Sequence, residues 1–397
     1  MTPPAILMLS AAHPPDDVRI VAKEGAALAA AGFPVRHLAP GPDGATRLLH
    51  GVALQTYPRP GPGWWARLRG IPALARRAAA LRPAVIHAHE PDSWAAALLA
   101  ARRCGARVVL DVHEHYPSRL DPVLPRMLRP FGRALVATAC RLLASRADAV
   151  VVAKDGLEGW LGGLARCTPV RNYATPVPVT PRRHRAGPLT LLHLGALTRA
   201  RGAFIMLDAL ALLPPGTRLR LIGRFTDGSE AAFRERSLAL GLAAQVEYLD
   251  WMPREEALAL AAEADIGLVL FQPGVENHRL ALPHKLFDCM LAGLPVIVPG
   301  LAEEVAAIVR SADCGLTVDT ADATAVATAI QALSDPAVRN AMGRRGRDAA
   351  LTRFGWAGEA ARLVRLYRLL TPSSNAAIQA AIAAAPASVW PSARSPR

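Results

Sequence analysis

The segment NHRLALPHKLFDCMLAGLPVIV, residues 277–298, holds the densest set of groups able to do chemistry. Pro283 starts a helix there, Gly293 marks its end, and the apolar strand PVIV follows. A proline just inside a helix start leaves the amides of His284 and Lys285 free, at the positive end of the helix dipole. That makes an anion site, and Lys285 adds a full charge beside it. Asp288, one turn on from Lys285, is placed to accept hydrogen bonds from paired hydroxyls such as those of a ribose. A nucleoside diphosphate fits this set. An ordinary amphipathic helix with a solvated Lys/Asp pair would show the same spacing.

Other segments offer weaker chemistry. LLHLGALTRARG (191–202) is a strand running into a small-residue loop that carries Arg199 and Arg201. Arg224 closes the strand end LIGR, and Trp251 sits in LDWMP. Asp16 and Asp17 stand at a loop-to-helix junction, where an aspartate commonly caps. His87, His89 and Glu90, and then His113, Glu114 and His115, follow two strand ends. Alternate residues on a strand share a face, so each histidine pair offers two ligands on one side. Zinc wants three or four in tetrahedral array. The anion segment explains its surroundings without a metal, and none is expected.

These groups need elements to hold them. Strand Ile6–Leu9 leads through AAHPPDD into a helical run ending near Gly32, and Val35–Leu38 is the next strand. The rhythm repeats with a helix around 66–81, strand 85–88, helix 92–103, strand Arg107 to Val112, a long helix near 125–146 and strand 149–152. It stops in NYATPVPVTPRRHRAGP, which reads as a linker. It restarts with strand 189–194, helix 202–213, strand 218–222, helix 229–240, strand 246–249, helix 254–263, strand 266–271, helix 283–292 and strand 295–298. Helix 356–370 comes last, and the tail from Thr371 reads as disordered. Strands alternating with helices predict parallel sheets covered on both faces. The chain is thus read as α/β, with two Rossmann-like doubly wound domains facing a cleft. Ligands of open α/β sheets bind at the carboxyl ends of the strands.

Composition narrows the partners. The 397 residues carry a net charge of +14, and residues 1–180 hold 22 Lys+Arg against 12 Asp+Glu. Lysine occurs only at Lys23, Lys154 and Lys285. Such a field draws nucleic acid, anionic headgroups or phosphorylated substrates. Five scattered cysteines without C-x-x-C spacing fit reduced thiols and argue against a disulfide framework or zinc site. MTPPAILMLS runs straight into a strand without a basic signal-peptide region, and no apolar run approaches a membrane span. A cytoplasmic protein is expected. Arginines 126, 129, 133, 141 and 146, interleaved with apolar residues, give helix 125–146 the option of lying on an anionic membrane surface. Helix-turn-helix, zinc and aromatic RNA-binding signatures are missing and the arginines are dispersed, so nucleic acid is not expected as a partner.

The segment from Pro283 to Val298 resembles the donor-site signature P-x-K-x-[FL]-[ED]-x-x-x-x-G-x-P-V of family 4 retaining glycosyltransferases. LLHLGALTRARG resembles that family's strand and basic-Gly loop, with Arg201 the best match for the phosphate contact. LDWMP is similar to its nucleobase loop. HPPDDVRIV, HAHEPDSW and LDVHEHYP resemble the D-x-R-I and later cleft segments of one branch, and Trp356, Glu359 and Tyr367 its closing helix. The resemblance covers the chain to about residue 370 and implies a two-domain GT-B enzyme using a nucleoside-diphosphate-sugar, with no tightly bound cofactor. It implies an acceptor-side domain over 1–172, a linker over 173–188, a donor domain over 189–353 and a helix 354–370 packing back on the first domain. It places Asp17, His113 and Glu114 at the transferred sugar, and Arg199, Arg201, Arg224, Trp251, His284, Lys285 and Asp288 on the donor. Two positions depart from the pattern. Asp288 stands where the family usually has Glu, and the earlier acidic residue falls on Leu280, leaving Glu276 or Asn277 to take that contact.

The expected activity is retaining transfer of a sugar to a glycan or lipid-linked acceptor, in surface or exopolysaccharide synthesis. No carboxylate stands out as a nucleophile, which fits front-face transfer assisted by the leaving phosphate. A nucleotide-sugar 2-epimerase would share the uridine-diphosphate pocket but need acid/base carboxylates flanking the ring, and would consume donor without acceptor. A non-catalytic relative is the other alternative, kept open by Leu280.

Overall fold

The computed structural model describes residues 3–371 except 43, 60, 62–63 and 164–166. The expected tail therefore lies outside the described residues, apart from Thr371. The chain divides into two compact units. One comprises 1–110, 147–149 and the part from Ala360 on; the other comprises 111–146 and 150–359.

In the first unit, strands β1 (Ile6–Leu9), β2 (Val35–Pro40), β3 (Thr46–Leu49), β4 (Val52–Tyr57), β5 (Val85–Ala88) and β6 (Arg107–Val112) pair in the order β3-β4-β2-β1-β5-β6. All pairings are parallel except β3 with β4. Every residue of β1 and β5 is buried, as expected for parallel strands covered on both faces. The helix expected after the first loop forms, but its opening stretch Val18–Gly25 is wound i to i+5 before Ala26–Ala30 continues as α-helix. Helix Pro91–Cys104 has a reciprocal Glu90/Ser93 capping box and ends on left-handed Gly105. The closing helix Trp356–Leu370 brings the Tyr367 hydroxyl within 2.8 Å of His87 Nδ1, both groups fully buried.

In the second unit, β7 (Ala149–Val152) pairs parallel with β8 (Cys167–Pro169). A six-stranded parallel sheet follows in the order β11-β10-β9-β12-β13-β14. Its strands are β9 (Thr190–Leu194), β10 (Arg218–Ile222), β11 (Val246–Leu249), β12 (Ile266–Leu268), β13 (Val296–Pro299) and β14 (Gly315–Val318). Alternation along the strands builds a core on each face. Val296 and Val298 join Leu192, Leu286 and Phe287 on one side, while Ile297 joins Leu191, Leu221 and Leu207 on the other.

The proline-rich stretch read as a linker is pinned within this unit. Ala174 forms a bridge with Gly355, and buried His184 has Nδ1 3.2 Å from Asp265 and its amide on Asn340. β3, β4, β8 and β14 and the helices Glu303–Ala312, Ala323–Ala332 and Pro336–Leu351 add to the elements read from the pattern.

Candidate functional site

In the second unit, Lys285 and Arg201 come together at the carboxyl end of β9. After Leu194 the chain turns at Gly195 (φ 85°), crosses the loop 196–201 and enters helix Ala203–Leu210 through Gly202 (φ 88°). A Cβ on Gly202 would meet the carbonyl oxygen of Leu270 and come within 2.8 Å of its Cβ, so only glycine fits there. Helix His284–Leu291 starts after extended Pro283, as the sequence implied, and the Leu286 amide closes its first turn on the Pro283 carbonyl at 3.2 Å.

Lys285 is buried in this corner, its Nζ 2.9 Å from Nε2 of buried His193 on β9. Its charge sits 5.9 Å from the Phe271 ring centroid. Burial, reinforced by the nearby Arg201 charge, brings the lysine down to about 7. Burial and the lysine also hold His193 well below the usual histidine range, so the imidazole is neutral and accepts from the ammonium. Arg201 is itself depressed by burial. Among the described residues, neither Lys285 nor the Arg201 guanidinium has a carboxylate partner. Two desolvated cations held close together without a counter-ion form a site for a strong anion.

The remaining donor-side residues divide into separate groups. Asp288 has Oδ1 in the fork of Arg254, at 3.0 Å from Nε and 2.6 Å from Nη2, and Arg254 also donates to the Thr175 carbonyl. The carboxylate expected to meet a ribose is thus engaged by a cation. His284 Nε2 lies 2.8 Å from the Asn172 side-chain amide. Arg199 stacks its guanidinium 3.8 Å over Phe204. Arg224 forms an exposed pair with Asp250, next to Trp251, which is 65% exposed.

Glu276 and Asn277, in the short helix Glu276–Arg279, take different partners. Glu276 is held below the ordinary carboxylate range by its hydrogen bond from Arg279. Asn277 accepts from the His115 amide at 2.8 Å and donates to Glu114 at 3.3 Å. Glu114 also takes the Arg119 guanidinium, at 2.7 Å from Nε. His113 Nε2 donates to buried Asp111 at 2.8 Å, which fixes the ring's orientation. The loop 113–115 and the loop 276–277 therefore form one polar cluster, a link that spacing alone did not reveal.

In the first unit Asp17 is the N-cap. Its Oδ1 accepts from the Arg19 and Ile20 amides at 2.9 and 3.1 Å, and Oδ2 lies 3.1 Å from His13 Nδ1. Glu90, read only as half of a His/Glu pair, turns out to organise this end. It accepts from the amides of Ala11, Ala12 and His13, each at 2.9 Å. Glutamine there would replace one acceptor oxygen with a donor facing amide donors. Glu90→Gln is expected to lower stability by about 2–3 kcal/mol, read as a shift in the urea midpoint at unchanged slope.

Comparison with known proteins places these features in a family. The description "Glycosyl transferase 4-like domain" matches residues 18–171, and "Glycosyl transferases group 1" matches residues 181–349. A Mycobacterium leprae phosphatidyl-myo-inositol mannosyltransferase is 26% identical over 366 residues, covering 87% of this chain and 91% of that protein. A Mycobacterium tuberculosis glycogen synthase is 26% identical over 303 residues, covering 72% and 69%. Among solved structures, the sucrose-phosphate synthase of Thermosynechococcus elongatus superposes with TM-score 0.76 at 19% identity, over 92% of this chain and 99% of that one. The Anabaena protein HepE, solved with UDP and glucose, gives TM-score 0.70 at 16% identity, over 92% and 100%. With both halves matched and the two parallel-sheet α/β fold shared, the chain belongs to the family-4-like glycosyltransferases of GT-B fold.

Proposed function

We propose that this enzyme transfers a sugar, with retention of anomeric configuration, from a nucleoside-diphosphate-sugar to a glycan or lipid-linked acceptor of surface or exopolysaccharide synthesis, at the cytoplasmic side. The observation that carries this reading is buried Lys285 with half-buried Arg201 beside it, neither with a carboxylate partner among the described residues. A diphosphate satisfies it: the positive end of the helix His284–Leu291 dipole faces the phosphates, and the two cations neutralise the rest. The exposed Arg224–Asp250–Trp251 rim lies open to the nucleoside. Asp288 reaches the ribose with Arg254 holding it in place.

In the reaction the bond from the anomeric carbon to the phosphate oxygen breaks and the acceptor hydroxyl oxygen bonds to the same face. The hydroxyl proton passes to the leaving diphosphate. Positive charge fixed in advance at the departing oxygen lowers that barrier without reorganisation. His113 and Glu114 orient the transferred sugar, with Asn277 holding Glu114 in position. No metal is needed where arginine and lysine carry the phosphate charge.

Calorimetric titration with UDP, GDP, ADP and TDP and their sugar conjugates tests this. One nucleoside diphosphate is expected to bind saturably, and its sugar conjugate to be consumed only when acceptor is present. Failure of all of them to bind would overturn the donor assignment, and consumption without acceptor would turn the reading to epimerisation.

A further inference from the structure

The second unit exposes an apolar surface that the donor chemistry does not use. Val123, Met127, Phe131 and Leu135 are 74%, 83%, 74% and 70% exposed, and Leu142 is 56% exposed. Helix Arg129–Ala144 turns Ala137, Cys140 and Ala144 inward. Phe131, Leu135 and Leu142, spaced by four and seven residues, therefore line its solvent face, with Met127 continuing the stripe. This inverts the usual pattern, in which large apolar side chains face the core and small or polar ones face water.

The charge around the stripe is one-sided. Residues 119–146 contain six arginines and one acid, Asp121. Arg133 is paired with Asp121 and Arg119 with Glu114. Arg126, Arg129, Arg141 and Arg146 have no carboxylate partner among the described residues. Arg129, Arg141 and Arg146 donate to the carbonyls of Leu124, Trp160 and Leu142, which fixes their positions without neutralising them. An apolar stripe flanked by fixed guanidinium groups matches the interface of a bilayer, where acyl chains meet anionic headgroups. A second copy of the chain is a poor occupant, because self-association would press two sets of unpaired arginines together.

We infer that the segment 123–142 docks the enzyme on an anionic phospholipid bilayer, with Met127, Phe131 and Leu135 entering the interface and Arg126, Arg129, Arg141 and Arg146 contacting headgroups. This surface is separate from the diphosphate corner, so docking stands or falls independently of the donor assignment. Among the described residues no helix is long and apolar enough to span a membrane, so attachment of this segment is peripheral.

The test is flotation of the full chain with phosphatidylcholine vesicles, with and without phosphatidylglycerol. Binding is expected to the mixed vesicles, to weaken with added salt, and to drop at least about tenfold on pure phosphatidylcholine. The triple variant Met127→Ser/Phe131→Ser/Leu135→Ser is expected to stay in the aqueous fraction. Arg126→Glu/Arg141→Glu is expected to lose the preference for anionic lipid. Nucleoside-diphosphate binding or, where that fails, an unchanged thermal melt certifies that the variants fold. Absence of flotation by the parent chain, or flotation unchanged in the folded triple variant, would overturn the inference. So would a concentration-dependent dimer abolished by the same three serines, since the surface would then belong to a second copy.

Discussion

Lys285→Ala is expected to lower kcat/KM by about 100- to 1,000-fold, through loss of a charge poised where the diphosphate departs. A full charge near 4 Å from a phosphate is worth about 4 kcal/mol at an effective dielectric of 20, in line with that loss. The same residue should show a second, opposite effect. Burial brings it to about 7, far below an unfolded lysine, so the folded protein without ligand disfavours the charged form. Below pH 7 the fold carries the full penalty of a buried cation. Between about pH 7 and the unfolded value near 10, the unfolded chain binds the extra proton, and stability rises with pH. Lys285→Met removes that slope. The variant is expected to be more stable than the parent at pH 6, by on the order of 3 kcal/mol, and nearly equal to it at pH 10. Urea unfolding across that range checks the sign. In the parent, diphosphate affinity is expected to fall as pH rises through 7, because the free enzyme then lacks the proton the ligand requires. Calorimetry from pH 6 to 9 reads this, and Lys285→Ala flattens it. A parent affinity independent of pH would place the phosphate elsewhere.

The second large effect is expected at Gly202. Its left-handed backbone and the adjacent Leu270 carbonyl leave no room for a side chain. Gly202→Val would combine an unfavourable backbone region with overpacking, at about 3–5 kcal/mol. Because Arg201 is the preceding residue, a shift of the loop away from Leu270 also displaces that guanidinium. Stability and diphosphate affinity are therefore expected to fall together, the first read by denaturant midpoint and the second by titration. Arg201→Ala should weaken binding without the stability loss, which separates the two causes.

The alternation of strands and helices was legible because strands such as β1, β5 and β13 are buried on both faces and read as unbroken apolar runs. The β3–β4 hairpin was not. Its turn is His50-Gly51, with φ 50° and 78°, a left-handed pair that glycine signals only halfway. β8 and β14 were missed because CTP and GLTV hold too few apolar residues to show a strand period, unlike VEYL of β11. Within the site, Lys285 could be read from its place after Pro283. His193 could not, since a histidine inside an apolar strand shows nothing of the ammonium it will meet. Arg254 was hidden for a similar reason: spacing does not show that a residue 34 positions away will occupy Asp288. The contact between Asn277 and Glu114 joins residues 163 apart, and no local pattern encodes it.

All three lysines are buried: Lys23, Lys154 and Lys285 are 2%, 6% and 8% exposed. Outward-facing permanent positive charge on this protein is therefore guanidinium, which stays protonated across any pH a cell experiences. Lysine acetylation has no exposed side chain to neutralise, so the outer field cannot be tuned by that route. Lys285, brought down to about 7, lies inside, beside Arg201. The molecule thus separates a constant charge for surfaces from an adjustable one for ligands, and residue type alone keeps the two apart.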